Sequence, residues 1–509
     1  MARRRGGVRL VGALLCTGAL LATASGPVTA ADVSRQGQGA SALQGDVLRP
    51  LDDVLDPPVQ VRMDNGANNR TVDSAIQRGV DSNVYVWGRT GRGIDGVYSA
   101  DTIGPRDREW PRQVEGLPEG NIRAVTAGIY NFNALDYDGH VWGWGAYSAA
   151  RDGTDSVQDR DGRLGCIGMS VQPERLRVGS AWNGSGELLS GVQQISSTEM
   201  AGAALTGDGS VYRWGRAEYG GNPGVGDGCS KNPVGAQKVE GLPDPSIPGN
   251  RPVYLKGGYK TFWVLLENGD VYYWGGASTY ERPRTPEGGT GDATGTQHVA
   301  QRSTVLNDWN RTNSPGAYIV QLDSGINLGG ALLSDGRVLT WGTNAGRVGG
   351  RLPDDSKAAT LRAARAPGVL PNVSGVVALQ YTFTGAAMIT SDGALYGYGD
   401  DSYECFPKWP GKATFCGGAS YETVPGLLDT GVVSFSVGQG HIRWTKQVAD
   451  STTSSGLGYE TWGQGYNPRG AIGHPVGTVK TKRLVEFQTA KKEPCTESRC
   501  DLEALLQGR

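Results

Sequence analysis

One short pattern recurs seven times along the chain and limits its fold more than any other feature. It reads Val84-Tyr85-Val86-Trp87-Gly88, Val141-Trp142-Gly143-Trp144-Gly145, Val211-Tyr212-Arg213-Trp214-Gly215, Val271-Tyr272-Tyr273-Trp274-Gly275, Val338-Leu339-Thr340-Trp341-Gly342, Leu395-Tyr396-Gly397-Tyr398-Gly399 and Tyr459-Glu460-Thr461-Trp462-Gly463. The closing glycines fall 57 to 70 residues apart. Five runs follow a tight-turn pair: Asp138-Gly139, Asp208-Gly209, Asn268-Gly269, Asp335-Gly336 and Asp392-Gly393. Such pairs supply the positive φ angles of a type I′ turn, so each run is the return strand of a hairpin. A further apolar strand precedes each turn (Ala203 to Leu205, Trp263 to Leu266, Ala331 to Leu333, Ala386 to Ile389). A third lies upstream of that (Val125 to Gly128, Val253 to Lys256, Ile319 to Leu322, Val376 to Leu379). A short antiparallel sheet cannot bury both its faces alone, and radial stacking around an axis solves this, which predicts a β-propeller. Helical repeats would show a 3.6-residue period, and leucine-rich repeats are far shorter.

The repeat resembles that of the RCC1 (regulator of chromosome condensation) family, which ends in a D-G-x-V-x-x-W-G strand followed by a G-x-L-G turn. The second element stands at Gly162-Arg163-Leu164-Gly165, Gly346-Arg347-Val348-Gly349 and Gly470-Ala471-Ile472-Gly473. The resemblance runs from about residue 59 to 488 and implies an all-β, seven-bladed β-propeller of RCC1-like repeats. The chain departs from the pattern in three places. The family's histidine before the turn is kept at His441 alone, Tyr398 replaces a tryptophan, and Val448 to Gly458 replaces the last tight turn. WD40 and kelch propellers are disfavoured, because Trp-Gly here ends a strand after Asp-Gly. The first unit, Val59 to Gly88, lacks a Pro-x-x-Val strand like that at Pro111 to Val114, whereas Pro475 to Phe487 supplies one through Val479, Leu484, Val485 and Phe487. The expectation is that this C-terminal strand completes blade one and closes the ring, hiding its edges.

Residues 1–30 place Arg3, Arg4, Arg5 and Arg9 before an apolar run from Leu10 to Ala24 and end in Val28-Thr29-Ala30. This is the layout of a secretory signal peptide cleaved near Ala30, and the run is shorter than a membrane span needs. The remaining divisions are a polar, flexible leader (31–58), the RCC1-like propeller (59–488) and a C-terminal tail (489–509). The full chain carries a net charge of -2, and loss of four arginines takes the exported form to -6. Neither value gives an electrostatic basis for binding nucleic acid or an anionic membrane. Export also removes Cys16 and leaves Cys166, Cys229, Cys405, Cys416, Cys495 and Cys500. An even count in an oxidising compartment points to disulfides, although six cysteines allow 15 pairings. Cys405 with Cys416, Cys495 with Cys500 and Cys166 with Cys229 are the natural guesses. Zinc is disfavoured because no C-x-x-C pair occurs and the histidines are four: His140, His298, His441 and His474.

Catalytic motifs are absent: there is no H-E-x-x-H, no G-x-S-x-G and no P-loop. Gly91 to Gly96 matches G-x-G-x-x-G, but 80 glycines in 509 residues make chance matches common and no βαβ unit surrounds this one. Asp155, Asp159 and Asp161 lack the oxygen spacing of a calcium loop. The Trp-Gly aromatics, one per unit in fixed phase, are read as core. Long polar insertions, Ala146 to Gly162, Gly276 to Pro315 and Thr343 to Ala366, read as surface loops between blades. The aromatics outside the repeat phase are the candidate partner-binding residues: Trp110, Tyr147, Trp182, Tyr219, Tyr280, Trp309, Tyr403, Trp409 and Tyr466. The expected protein is a secreted, non-catalytic, monomeric propeller without cofactor or metal that binds an extracellular protein through inter-blade loops on one ring face. Some secreted bacterial RCC1-like propellers inhibit β-lactamase, so a proteinaceous enzyme inhibitor is one alternative reading. A glycan-binding or glycan-cleaving propeller is the other. The guanine-nucleotide exchange known in the family needs a small GTPase that an exported chain would not meet.

Overall fold

The computed structural model describes residues 74–78, 82–89, 107–128, 131–144, 163–164, 169–170, 173–179, 186–223, 235–277, 281–285, 291–292, 295–313, 317–342, 366–382, 385–400, 421–438, 441–449, 457–465 and 479–484. Its strands form seven sheets in chain order. Sheet one holds Ser74–Arg78, Val84–Arg89 and Asp107–Gln113. Sheet two holds Ile122–Ala127, Phe132–Asp136 and Val141–Trp144, with the short strands Arg163–Leu164, Met169–Ser170 and Glu174–Arg175 outside them. Sheet three is Val192–Ser197, Ala201–Thr206, Val211–Gly215 and Gln237–Lys238. Sheet four is Pro252–Gly257, Thr261–Leu266, Val271–Gly275 and Gln297–Arg302. Sheet five is Ile319–Gly325, Leu328–Leu333, Val338–Gly342 and Gly368–Val369. Sheet six is Val376–Tyr381, Gly385–Thr390, Leu395–Asp400 and Tyr421–Asp429. Sheet seven is Val432–Val437, His441–Ala449, Leu457–Gly465 and Val479–Leu484.

Six of the sheets have four or more strands and are full blades, while sheet one has three among the described residues. Six full blades therefore stand where the repeat predicts seven. The predicted closing strand also lies elsewhere: Val479–Leu484 pairs with Leu457–Gly465 and is the outer strand of the last sheet, not part of the first. The Pro111 strand already fills the outer position of sheet one, where Val86 faces Arg112. The C-terminal strand thus follows the repeat's ordinary phase.

The recurring aromatics are core, as their phase predicts: Trp87, Trp144, Trp214, Trp274, Trp341 and Tyr398 are all 1 % exposed or less. Each lies opposite one residue of the neighbouring second strand. That residue is glycine at Gly202 and Gly329, where an added Cβ would stand 2.3 Å from Trp214 and 2.7 Å from Trp341. The seventh run departs from this phase. Gly465, not Gly463, faces the first residue of the second strand, His441, as Gly215 faces Ala201, so buried Gln464 fills the tryptophan's position and Trp462 is displaced to a half-buried one. The longer hairpin of sheet seven shifts the return strand by two residues, which sequence spacing cannot reveal.

Six sheets share a register shift at the same point of the inner strand, for example between Val192 and Gln194 and between Ile319 and Gln321. Such a bulge re-aims the next side chain, here toward the following sheet. Gln194 Oε1 accepts the Leu255 amide at 3.0 Å and Ser196 Oγ that of Gly257 at 2.8 Å. Gln321 Oε1 accepts Leu379 N at 3.2 Å, Asp323 Oδ2 accepts Tyr381 N at 2.9 Å, and Gln380 Oε1 accepts Val437 N at 3.3 Å. The insertion Gly276 to Pro315 is not simply a loop. It carries buried Glu281, Arg282 and Asp292 and the helix α1 (Thr304–Asn313). Asp292 accepts the Thr304 amide at 2.9 Å and Ser303 Oγ that of Leu306 at 3.2 Å, which caps the helix.

In the hairpin of sheet one Ser82 holds φ 60° where the hairpins of sheets two to six place glycine. A left-handed serine is strained by about 1 kcal/mol. Ser82→Gly should therefore raise unfolding free energy by up to about 1 kcal/mol, less what the Arg78–Ser82 hydrogen bond contributes; denaturant titration checks this. His441 is buried at 3 % exposure, and burial first, then the nearby Arg443 charge, holds its imidazole down to about 3 from 6.5. The unfolded chain takes up this proton near 6.5 and the folded chain does not, so stability falls as pH drops from about 6.5 toward 3. His441→Gln should flatten that decline by up to about 1.4 kcal/mol per pH unit, measurable as the difference between the two proteins' stability–pH curves.

Candidate functional site

The turns between inner and second strands, and the segments leaving the Trp-Gly strands, lie at one end of the antiparallel blades and so on one ring face. At the junction of sheets three and four this face carries a cluster of aromatic and charged side chains. Gly215 leads into a 3-10 turn, Ala217–Tyr219, which ends at Gly220 with φ 90°. Two blades fix this turn. Thr198 Oγ1 donates to the Tyr219 carbonyl at 2.7 Å, and Trp274 Nε1 of the next sheet donates to the Gly220 carbonyl at 2.8 Å. The opposing turn, Tyr259-Lys260, is held by buried Glu281, whose Oε1 accepts the amides of Lys260 and Thr261, both at 2.9 Å, and the Ser324 hydroxyl at 3.1 Å. The Glu199 amide donates to the Tyr259 carbonyl at 3.1 Å.

The side chains converge from these anchors. Tyr219 and Tyr259 meet edge to face with centroids 6.5 Å apart. Lys260 Nζ stands 4.6 Å from the Tyr219 ring centroid and 5.6 Å from that of Tyr259. The Arg216 guanidinium covers Tyr219 at 5.2 Å and pairs with Glu218 at 2.7 Å. Burial first, then the Glu199 carboxylate, pushes both phenols well above their ordinary range, and Tyr259 is also hydrogen-bonded to Glu199. Both tyrosines therefore stay neutral. Aromatic faces with two cations and two carboxylates suit recognition: tyrosine and arginine lead interface hot spots, and cation–π contacts strengthen when desolvated.

A second group lies on the opposite face in the hairpin turn of sheet two. Asp136, Asp138 and His140 bring potential metal-ligating atoms within 4.8 Å of one another. Asp136 Oδ2 lies 3.4 Å from His140 Nδ1 and accepts Trp142 Nε1 at 2.9 Å, Oδ1 accepts the His140 amide at 2.8 Å, and Asp138 accepts Asn121 Nδ2 at 2.9 Å. These oxygens are taken by donors of the chain, and three side chains fall short of the four that close a structural zinc site.

Of the nine predicted aromatics, Tyr219 lies in the cluster, but it is buried in the core between sheets three and four rather than presented to a partner. Trp309 sits half-buried on α1 against the core between sheets four and five. Trp110 falls on the outer strand of sheet one, its side chain outside the described residues. Tyr147, Trp182, Tyr280, Tyr403, Trp409, Tyr466 and the cysteines Cys166, Cys229, Cys405, Cys416, Cys495 and Cys500 lie outside the described residues, as do Asp155, Asp159 and Asp161. A search for aromatics out of repeat phase misses Tyr259, Lys260, Arg216 and Glu199. The signal that could have found them is position, since all four sit at strand ends on the same ring face.

No known family's sequence profile matches the chain. Half of it is similar to the E3 ubiquitin-protein ligase HERC2 of Homo sapiens, at 28 % identity over 256 residues, covering 50 % of this chain and 4 % of the ligase. It is also similar to the RCC1 domain-containing protein RUG3, mitochondrial, of Arabidopsis thaliana, at 26 % identity over 273 residues, covering 52 % of this chain and 50 % of that protein. The matches thus span at most half the length of these relatives. Among solved structures, yeast RCC1 (Prp20) bound to Kap60 superimposes with a TM-score of 0.56 at 18 % identity, covering 86 % of this chain and 90 % of that one. Human WBSCR16 gives 0.53 at 17 %, covering 81 % and 96 %. Among the described residues no helix is long and apolar enough to cross a membrane. The fold is an all-β propeller of the RCC1 kind, and the sequence relatives support RCC1-type repeats.

Proposed function

We propose that this protein is an exported, non-catalytic propeller that binds a protein partner through the loops of one ring face. The observation that carries this reading is the Tyr219–Tyr259–Lys260–Arg216 cluster, whose backbone is fixed from two blades while Lys260 and Glu218 remain partly open to solvent. Tyr219 and Arg216 are buried, so the surface offered is that of Tyr259, Lys260 and Glu218 on a rigid frame, which lowers the entropy lost on association. A solved structure of similar fold, yeast RCC1, is bound to the protein Kap60. Export rests on the arginine-led apolar N-terminus, and with it goes pairing of the six remaining cysteines. The exported form acts as a monomer, without cofactor, on an extracellular partner.

The test uses the mature chain as bait on secreted and surface proteins, beside a Lys260→Glu variant whose melting temperature is first shown to be unchanged. Wild type should retain a discrete protein, and the charge reversal should weaken its capture by about 10-fold or more, as loss of an interface hot spot does. Equal capture by both proteins would remove the cluster from the interface. Retention on a glycan array with no protein captured would overturn protein binding itself.

A further inference from the structure

On the face opposite the Tyr259–Lys260 surface, the hairpin turn of sheet six opens onto a cleft. In sheets three and four the space beside the corresponding turn is filled. A Cβ on Gly209 would stand 2.7 Å from Pro245 Cβ and 3.2 Å from Arg251 Cγ, and Asn310 of α1 lies over Gly269, donating to its carbonyl at 3.5 Å. In sheet six a cleft of about 600 Å³ lies between the turn, Thr390 to Asp392, and the arch of residues 372–374 that leads into the inner strand. Ligand clefts typically span roughly 300–1,000 Å³. The arch is tied down at its end, where Val376 N donates to the Gly336 carbonyl at 3.0 Å and Ser391 N to the Gly375 carbonyl at 2.9 Å. Asn372 holds φ 63°, a left-handed conformation that glycine adopts more readily than asparagine.

The chemistry of the lining narrows what the cleft can hold. Among the described residues no hydrogen bond engages the exposed side chains of Asn372, Ser374 and Ser391 or the phenol of half-buried Tyr396. Asp392 accepts the Thr390 hydroxyl and the Ala394 amide, both on Oδ1, and a carboxylate can accept further bonds on its other oxygen. Those bonds, the Thr390 hydroxyl first, hold its carboxyl below the ordinary range, so it is ionised. An anion would be repelled by Asp392, and a divalent cation would find a single carboxylate. An apolar ligand would strip water from these groups and return no hydrogen bond. A polyhydroxylated neutral molecule meets every one of them, because each of its hydroxyls both donates and accepts while its C–H surface packs on an aromatic ring. We propose that this cleft binds a neutral saccharide through Asn372, Ser374, Ser391 and Asp392, with Tyr396 as its apolar wall. The site does not depend on what the Tyr259–Lys260 surface binds.

The test applies the intact mature protein to an array of neutral and acidic glycans and titrates a retained neutral glycan by calorimetry. Wild type should be retained on neutral glycans, and Lys260→Glu equally so, since that side chain stands on the other face. Asn372→Gly relieves the left-handed strain while removing the amide. It should therefore melt no lower than wild type yet bind the same glycan about 5-fold or more weakly, as loss of a hydrogen-bonding group does. Ser391→Glu places a second carboxylate in the cleft and should abolish retention. Weakening by Asn372→Gly supports the site whether or not the loop face captures a protein. Retention of wild type on no neutral glycan, retention on acidic glycans alone, or wild-type affinity in either cleft variant would overturn the assignment.

Discussion

The aromatic near the end of each third strand is the contact on which the architecture depends. In sheets one to six it is buried against the second strand of its own sheet, and in sheets four and five its indole N–H reaches a carbonyl beyond the end of the preceding sheet. Trp274 donates to the Gly220 carbonyl and Trp341 to that of Glu281 at 2.9 Å. In these two sheets the indole thus supplies apolar area and a hydrogen bond across a joint where the two sheets have no backbone ladder in common. Its size also dictates what faces it. Glycine stands opposite Trp214 and Trp341, and a flat ring opposite Trp144 and Trp274, where Phe132 and Phe262 stack at 5.9 and 5.0 Å. Replacement of a residue as large as tryptophan by alanine in such a joint removes about 3–5 kcal/mol.

Closer to the axis the joint is polar, and the bulge makes it so. An uninterrupted inner strand would aim its side chains only at its own two faces, and the shift of one residue frees glutamine, serine or aspartate to accept an amide from the next blade. Each blade thereby depends on its neighbour for hydrogen-bond satisfaction as well as for apolar contact, which makes the ring cooperative. The loop-face cluster is built from the same joints. Trp274 holds the turn that carries Tyr219, and Glu281 holds the turn that carries Lys260, so the surface proposed to bind is an outgrowth of the packing between sheets three, four and five. A site fixed in this way needs little ordering when a partner arrives.

Much of this was legible in the residues. Asp-Gly and Asn-Gly before Val-x-x-Trp-Gly identify a hairpin because only certain residues adopt its backbone angles, and a period near 60 identifies stacked units because one sheet cannot bury two faces. The candidate site was legible in part. Tyr219 stood out as an aromatic beyond a repeat strand, but Tyr259 and Lys260 lie inside a unit and gain their meaning from a neighbour 40 residues earlier in the chain. The buried Glu281, Arg282 and Asp292 were hidden for a related reason. In composition they belong to a polar insertion, and their burial depends on partners that folding brings to them: the Lys260 and Thr261 amides for Glu281, the Gly275 carbonyl for Arg282 and the Thr304 amide for Asp292.

The sequence by itself determined the unit, its three recurring strands and the burial of its aromatics, because turn geometry and side-chain alternation are local properties of the chain. The tertiary structure decided which strand joins which sheet. It gave the C-terminal strand to sheet seven rather than sheet one, and it put Gln464 where Trp462 was expected. Both follow from register, which is set by hydrogen bonding between segments far apart in the chain and leaves no trace in the spacing of residues along either one.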